Sequence, residues 1–144
     1  MQGKKARVRC IFATIFLDSL GIGLLIPVFP DVIRRFGQDT TFVSHWFGYF
    51  IAVYAAMQFL ASPVLGSLSD RFGRRPVLLV SLLGAGLDYL LMAFAPSMLW
   101  LFVGRVISGL TGASMTVASS YMADVSDDSN RSANFGMIGA AFGL

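Results

Sequence analysis

The sequence predicts an all-α membrane protein, for three reasons. Hydrophobic residues make up 56% of the 144 positions and charged residues only 13%, whereas a soluble domain usually carries about 25% charged residues. Four apolar runs are each close to or above the roughly 20 residues that span a hydrocarbon core. The charged residues lie mainly in the short segments between those runs, where a membrane protein returns to water.

The predicted spans follow one another in a single domain, residues 1–144. They cover residues 10–29, 42–65, 77–95 and 99–122. A fifth apolar run, residues 135–144, provides about 15 Å of helix, which is half of a membrane. The predicted architecture is therefore four transmembrane helices plus a truncated fifth.

The first span carries a carboxylate, Asp18, about 12 Å from its N-terminal end. The apolar run outlasts a secretory signal core and ends without a small-residue cleavage site, which predicts an uncleaved span. An ionisable side chain at this depth must face protein or a water-filled cavity. Pro27 kinks the same helix, and a kinked, ionisable span suits a moving transporter. The alternative is that Asp18 only bonds a neighbouring helix.

The second span carries a polar stripe. Tyr54, Gln58 and Ser62 recur every four positions, so they share one helix face, and that face should point inward. The Gln58 side chain could contact a substrate or bond another helix, and the sequence leaves both possibilities open.

A charged segment, residues 66–77 and called the basic segment below, separates the second and third spans. Its charged residues are Asp70, Arg71, Arg74 and Arg75. Pro76 suits the first turn of the third helix. Four Lys and Arg residues precede the first span, three lie in the basic segment and one follows the fourth span, whereas the opposite side carries two. The positive-inside rule therefore predicts that the N-terminus and the basic segment lie in the cytoplasm.

The third and fourth spans each contain a charge at a similar depth. Asp88 lies roughly 17 Å and Arg105 roughly 20 Å from the cytoplasmic end. A permanently charged Arg inside the membrane needs a counter-charge or a ring of acceptors. Because a buried carboxyl group can take up a proton, we expect Asp18, and secondarily Asp88, to couple proton movement to helix movement near Arg105. A purely structural ion pair is the alternative.

Small residues shape the fourth span, which is predicted as one continuous helix. Gly104, Ser108 and Gly112 are spaced four apart and form a ridge for close contact with another helix. Residues 109–112 lie inside the helical run and are interpreted as packing residues.

The residue types argue against enzyme chemistry. A single His and a single Cys cannot form a metal cluster, and they give no pattern of a Cys–His nucleophile. The chain also lacks a phosphate-binding glycine loop between a strand and a helix. The net charge of +3 is carried by the connections, which suits a lipid bilayer surface rather than nucleic acid. No catalytic residue, metal site or enzymatic activity is therefore predicted.

The basic segment resembles the signature Gly-x-Leu-x-Asp-Arg-x-Gly-Arg-Arg of the major facilitator superfamily, matched at residues 66–75. The string DSLGIGLLIPVFP in the first span resembles the first-span motif of the drug/proton antiporters in that superfamily. Residues 101–113 resemble the fourth-span motif around Arg105. The strings GRVISGLTGAS and YMADVSDDSNR are similar to the tetracycline/proton antiporters in particular.

This resemblance implies an inner-membrane exporter that exchanges a tetracycline–magnesium complex for a proton, driven by the proton gradient and without a bound cofactor. It implies transport-path roles for Asp18, Asp88, Arg105 and Gln58. It implies a cytoplasmic gating loop that contains Gly66, Asp70, Arg71, Gly73, Arg74 and Arg75. In the superfamily this loop pairs with an Asp after the fourth span, here Asp124. We expect Asp124 within about 8 Å, a Debye length, of one of the three arginines.

A full member of the superfamily has twelve spans in two halves, and the motifs found here belong to the first half. We therefore expect an N-terminal portion of a major facilitator fold that is incomplete on its own and needs a complementary C-terminal half. The alternatives are a truncated, transport-inactive remnant that inserts into the membrane, and an exporter of other drugs.

Overall fold

The computed structural model describes residues 2–112 and 114–143. This part of the chain consists of helices and short connections and contains no strand, in agreement with the predicted all-α class. The helices are α1 (Gln2–Arg34), α2 (Thr40–Phe72), α3 (Arg74–Ala93), α4 (Met98–Thr111), α5 (Ser114–Val125) and α6 (Arg131–Gly143). The last residue of the fifth predicted run, Leu144, lies outside the described residues.

Four stretches of helix are long and apolar enough to cross a membrane, in agreement with the four predicted spans. They are Arg9–Arg34, Thr40–Phe72, Arg74–Ala93 and Met98–Val125. Large apolar side chains on their outer faces, such as those of Phe59 and Leu83, are exposed, as expected where a helix faces lipid. The chain is therefore a multi-pass membrane protein.

The prediction that the fourth span forms one continuous helix was wrong. Helix α4 ends at Thr111 and α5 begins at Ser114. The Gly112 N–H donates to the Gly109 carbonyl at 3.2 Å in a tight turn. The Gly112 carbonyl accepts a hydrogen bond from the Gln58 side chain of α2. A partner on another helix thus satisfies a backbone group at the break, which the sequence of the span alone does not reveal.

The basic segment is mostly helix rather than loop. Helix α2 continues to Phe72 and α3 begins at Arg74, so the chain reverses direction at Gly73 alone. Gly73 has φ +97°, a conformation that glycine adopts without the steric cost of a side chain. Pro76 lies in the first turn of α3, as predicted.

The helices pack around α4, which contacts both α2 and α3 extensively. One apolar cluster lies at the end of the bundle that carries the basic segment and includes Ile11, Leu78 and Met122. A second cluster lies at the opposite end and includes Phe29 and Leu101. Helices α3 and α4 also each contribute one buried charge, Asp88 and Arg105.

Candidate functional site

A buried ion pair joins α3 to α4. The side chains of Asp88 and Arg105 are both buried. Arg105 Nη2 pairs with Asp88 Oδ2, and Arg105 Nε donates to Asp88 Oδ1 at 3.3 Å. The two contacts form the forked geometry that favours Arg–carboxylate pairs. The pair confirms that the two charges lie at the same depth.

A glycine on α4 makes room for this pair. A Cβ atom at Gly104 would lie 2.5 Å from Asp88 Oδ1, so a larger residue would push the carboxylate away. The predicted small-residue ridge of the fourth span therefore admits a charged side chain as well as a neighbouring helix.

Two aromatic rings complete the surroundings of Arg105. Its guanidinium carbon lies 4.9 Å from the centre of the Phe29 ring and 5.8 Å from that of Tyr54. Cation–π contacts at these distances stabilise a desolvated cation. One carboxylate and two ring faces, contributed by α1, α2 and α3, therefore hold the Arg105 charge in the interior.

Asp18 lies in the same region. Its carboxylate is half-buried and lies within electrostatic range of the hydroxyl groups of Tyr54 and Tyr89. The Tyr89 hydroxyl packs against Gly21, about one turn along α1 from Asp18. Because Tyr54 interacts with both Asp18 and Arg105, the structure brings Asp18 into the neighbourhood of the buried pair.

Gln58 bonds another part of the protein. Its side chain is half-buried and its Nε2 donates to the Gly112 carbonyl at 2.5 Å. Ser62 on the same stripe donates to the Gln58 carbonyl at 2.6 Å. Of the two roles that the sequence leaves open for Gln58, the structure shows the hydrogen bond to another segment of the chain. A contact between Gln58 and a substrate stays a prediction.

A second cluster of charges lies at the basic segment. Arg74 Nη1 lies 2.6 Å from Asp70 Oδ1, and Arg74 Nε lies 3.1 Å from Asp124 Oδ2. Arg74 Nη1 also donates to the Ser69 hydroxyl at 2.7 Å. The predicted proximity of Asp124 to one of the three arginines is confirmed, and its partner is Arg74. Gating by this cluster stays a prediction.

The remaining residues of the predicted loop make fewer contacts. The Arg71 guanidinium lies over the Phe72 ring at 5.7 Å. Arg71 and Arg75 are exposed and have no ion pair or hydrogen bond within the described part of the chain. A Cβ atom at Gly66 would meet nothing within 4 Å, so no steric contact explains a glycine there.

Three residues that lie around Arg105 or Arg74 were not predicted from the sequence as site residues. Tyr89 and Phe29 line the interior site, and Ser69 lies beside Arg74. Tyr89 directly follows Asp88 in the sequence. Its position next to an intramembrane carboxylate could have identified it as a residue of the interior site. Nothing in the sequence distinguishes Phe29 from the other apolar residues near the end of its span.

The described residues hold no group of three or more His, Cys, Asp or Glu side chains that could bind a metal ion. The donors that do converge are single carboxylates, tyrosine hydroxyls and arginines. Such a set can bind a proton, an anion or a polar organic molecule.

The four helical stretches of membrane-spanning length and the buried Asp88–Arg105 pair between two of them define a class of polytopic membrane protein. Residues 11–144 match the family model of the Major Facilitator Superfamily, and the chain belongs to that family. It is 50% identical over 134 residues to the class C tetracycline resistance protein of Escherichia coli, covering 93% of this chain and 34% of that protein. It is 52% identical over 128 residues to the class B protein of Escherichia coli, covering 89% and 32%.

A solved structure gives the same fold. The chain resembles the crystal structure of the human organic anion transporter MFSD10 (TETRAN), with a TM-score of 0.79 and 26% identity. The match covers 96% of this chain and 38% of that one. The chain thus spans about a third of the length of the curated relatives it matches.

Proposed function

We propose that the chain forms the first spans of an antibiotic efflux transporter that exchanges a tetracycline–magnesium complex for protons. The observation that carries this proposal is the identity of 50–52% to two tetracycline resistance proteins over most of the chain. The proposed location is the inner membrane, with the N-terminus and the basic segment in the cytoplasm, as the positive-inside rule favours.

The interior charges have different proposed roles. Protonating Asp88 would leave the buried Arg105 cation without its carboxylate, which is costly in a low-dielectric interior. Asp88 is therefore proposed to hold Arg105 in place. Asp18 is proposed to bind and release the transported proton, because it lies near the pair and a carboxylate at this depth can change its protonation state.

The cluster at the basic segment is proposed as a cytoplasmic gate. Arg74 bridges the end of α2 to the end of α5 through Asp70 and Asp124. Both carboxylates are exposed, and exposed ion pairs contribute only about 0–1 kcal/mol. Such a contact can break in each transport cycle without a large barrier.

Transport is proposed to require further helices. Transport paths in such folds lie between two halves, and the tetracycline resistance relatives are about three times as long as the matched segment. A complementary C-terminal half is thus the proposed partner, with the drug and the proton as the transported species. The competing proposal, based on the same length difference, is a membrane-inserted remnant that does not transport.

A chimera tests the proposed activity. Residues 11–144 would replace the matching segment of the class C protein, and everted vesicles would be assayed for tetracycline uptake with magnesium present. We expect uptake that stops when an uncoupler collapses the proton gradient. A folded chimera that shows no uptake would contradict the proposal.

A second candidate function is export of a different substrate. The structural similarity to an organic anion transporter favours an exporter of other organic molecules. The same vesicles would be tested with a fluorescent organic anion in place of tetracycline. Transport of the anion without transport of tetracycline would favour this candidate, and the reverse result would exclude it.

A further inference from the structure

A groove with one charged residue in its lining lies at the end of the bundle that carries the basic segment. It is formed between α1, α3 and α5 and has a volume of about 250 Å³. Cys10 and Thr14 come from α1, Arg75 and Leu79 from α3, and Tyr121 from α5. None of these residues takes part in the interior charge cluster, and Arg75 lies outside the Arg74 contacts.

Arg75 differs from its neighbour Arg74 in its partners. Arg74 contacts Ser69, Asp70 and Asp124. Arg75 has no hydrogen bond or ion pair with any described residue, and it is exposed. Its charge is therefore available to a ligand that does not belong to the described part of the chain.

The groove is lined by both polar and apolar side chains. Arg75 precedes Val77, the first residue of the predicted third span, by about 3 Å of helix rise, so it lies at headgroup depth. The Tyr121 hydroxyl, which makes no hydrogen bond to a described residue, is a second donor. Below them, Leu78 is buried and Leu79 is 57% exposed.

We propose that this groove binds an anionic phospholipid, with its phosphate on Arg75 and Tyr121 and an acyl chain along Leu79. Basic pockets between transmembrane helices are known sites for anionic lipid headgroups. A soluble anion would leave the apolar wall exposed, and an apolar helix would leave the Arg75 charge unpaired. The lipid site does not depend on the proposed transport activity.

Native mass spectrometry of the full 144-residue chain in detergent tests this site. Phosphatidylglycerol and phosphatidylcholine with the same chains would be added at equal concentration, and the first bound lipid counted. We expect the chain to retain phosphatidylglycerol preferentially. Arg75→Gln should reduce that preference about fivefold, which is the effect of one basic residue near an anionic surface.

Arg71→Gln is the matched control, because Arg71 is exposed at the same end of the bundle and does not line the groove. It should keep the preference. Equal losses in the two variants, or no preference in the unmodified chain, would overturn the site. Release of the bound lipid by soluble glycerol phosphate would also overturn it, because the ligand would then be a free anion.

The single cysteine of the chain gives a second measurement, and its first comparison, between two lipids, needs no substitution in the groove. Cys10 is exposed and lines the groove, and it can carry a bimane fluorophore in lipid nanodiscs. Phosphatidylglycerol with brominated chains should quench it more than brominated phosphatidylcholine, and Arg75→Gln should remove the difference. Equal quenching by both lipids, or quenching by neither, would contradict the proposal.

Discussion

Two ion pairs of the same chemistry occupy opposite environments in this chain. In the interior, the side chains of Arg105 and Asp88 are 5% and 3% exposed. At the basic segment, Arg74 is 21% exposed and its partner Asp124 is 56% exposed. A buried charge that loses its partner stays uncompensated, whereas water replaces a lost partner at the surface. The interior pair therefore fixes two helices, and the exposed pair can open.

Breaking the interior pair should have the largest effect. Arg105→Gln leaves Asp88 buried without its cation, and removing one partner of a buried pair costs about 3–5 kcal/mol. Unfolding by sodium dodecyl sulfate, followed by circular dichroism, measures the loss of stability.

The double variant Asp88→Asn with Arg105→Gln tests whether the loss comes from the unpaired charge. It should be more stable than Arg105→Gln alone, because neither charge is then left without a partner. If the double variant lost as much stability relative to the wild type as the two single variants lose together, the two charges would not interact.

Close helix approach should contribute the next largest effect. A Cβ atom at Gly109 would lie 2.6 Å from Met57 Cβ and 2.7 Å from the Tyr54 carbonyl oxygen, so Gly109→Ala forces α2 away from α4. We expect a loss of about 1–3 kcal/mol in the same unfolding assay. Gly86→Ala is the control, since a Cβ there meets nothing within 4 Å. Equal stability of the two variants would argue against this packing.

The hydrogen bond at the break in the fourth span should have a smaller effect. Gln58→Leu removes the donor to the Gly112 carbonyl, and interhelical hydrogen bonds in membranes contribute about 0.6 kcal/mol on average and up to about 1.7. Gln38→Leu, at an exposed position of the connection before α2, is the control. If both variants unfold at the wild-type detergent concentration, Gln58 does not stabilise the break.

The smallest effect belongs to the exposed pair. Asp124→Asn should reduce stability by about 0.2–1 kcal/mol, and the difference should disappear in high salt because exposed charges are screened. Asp128→Asn, in the connection after α5, is the control for a general charge effect. A loss at Asp124 as large as the loss at Arg105 would reverse the comparison between the two pairs.

The sequence predicted the parts of the fold that depend on distance along a helix. Run lengths located the four spans, and residue counts placed Asp88 and Arg105 at one depth. These predictions succeed because helix rise is nearly constant, so position in the sequence translates into depth in the membrane.

The parts that failed depend on rotation and on partners from other helices. The break at Gly112 is accompanied by a hydrogen bond from Gln58 on α2, and no local signal in the fourth span identifies that donor. The aromatic faces of Phe29 and Tyr54 around Arg105 depend on how three helices are rotated. The helical continuation of α2 through residues 66–72 was missed because a charged segment was interpreted as a loop.

Proton flux in the chimera tests most directly whether Asp18 binds and releases the transported proton while Asp88 holds Arg105 in place. Tetracycline would be added to everted vesicles, and proton release would be followed with a pH-sensitive dye. Asp18→Asn should abolish the tetracycline-driven flux at unchanged resistance to detergent unfolding. Asp31→Asn, an exposed carboxylate of the same helix that pairs with Arg34, should preserve the flux. Wild-type proton flux in Asp18→Asn vesicles would contradict the claim.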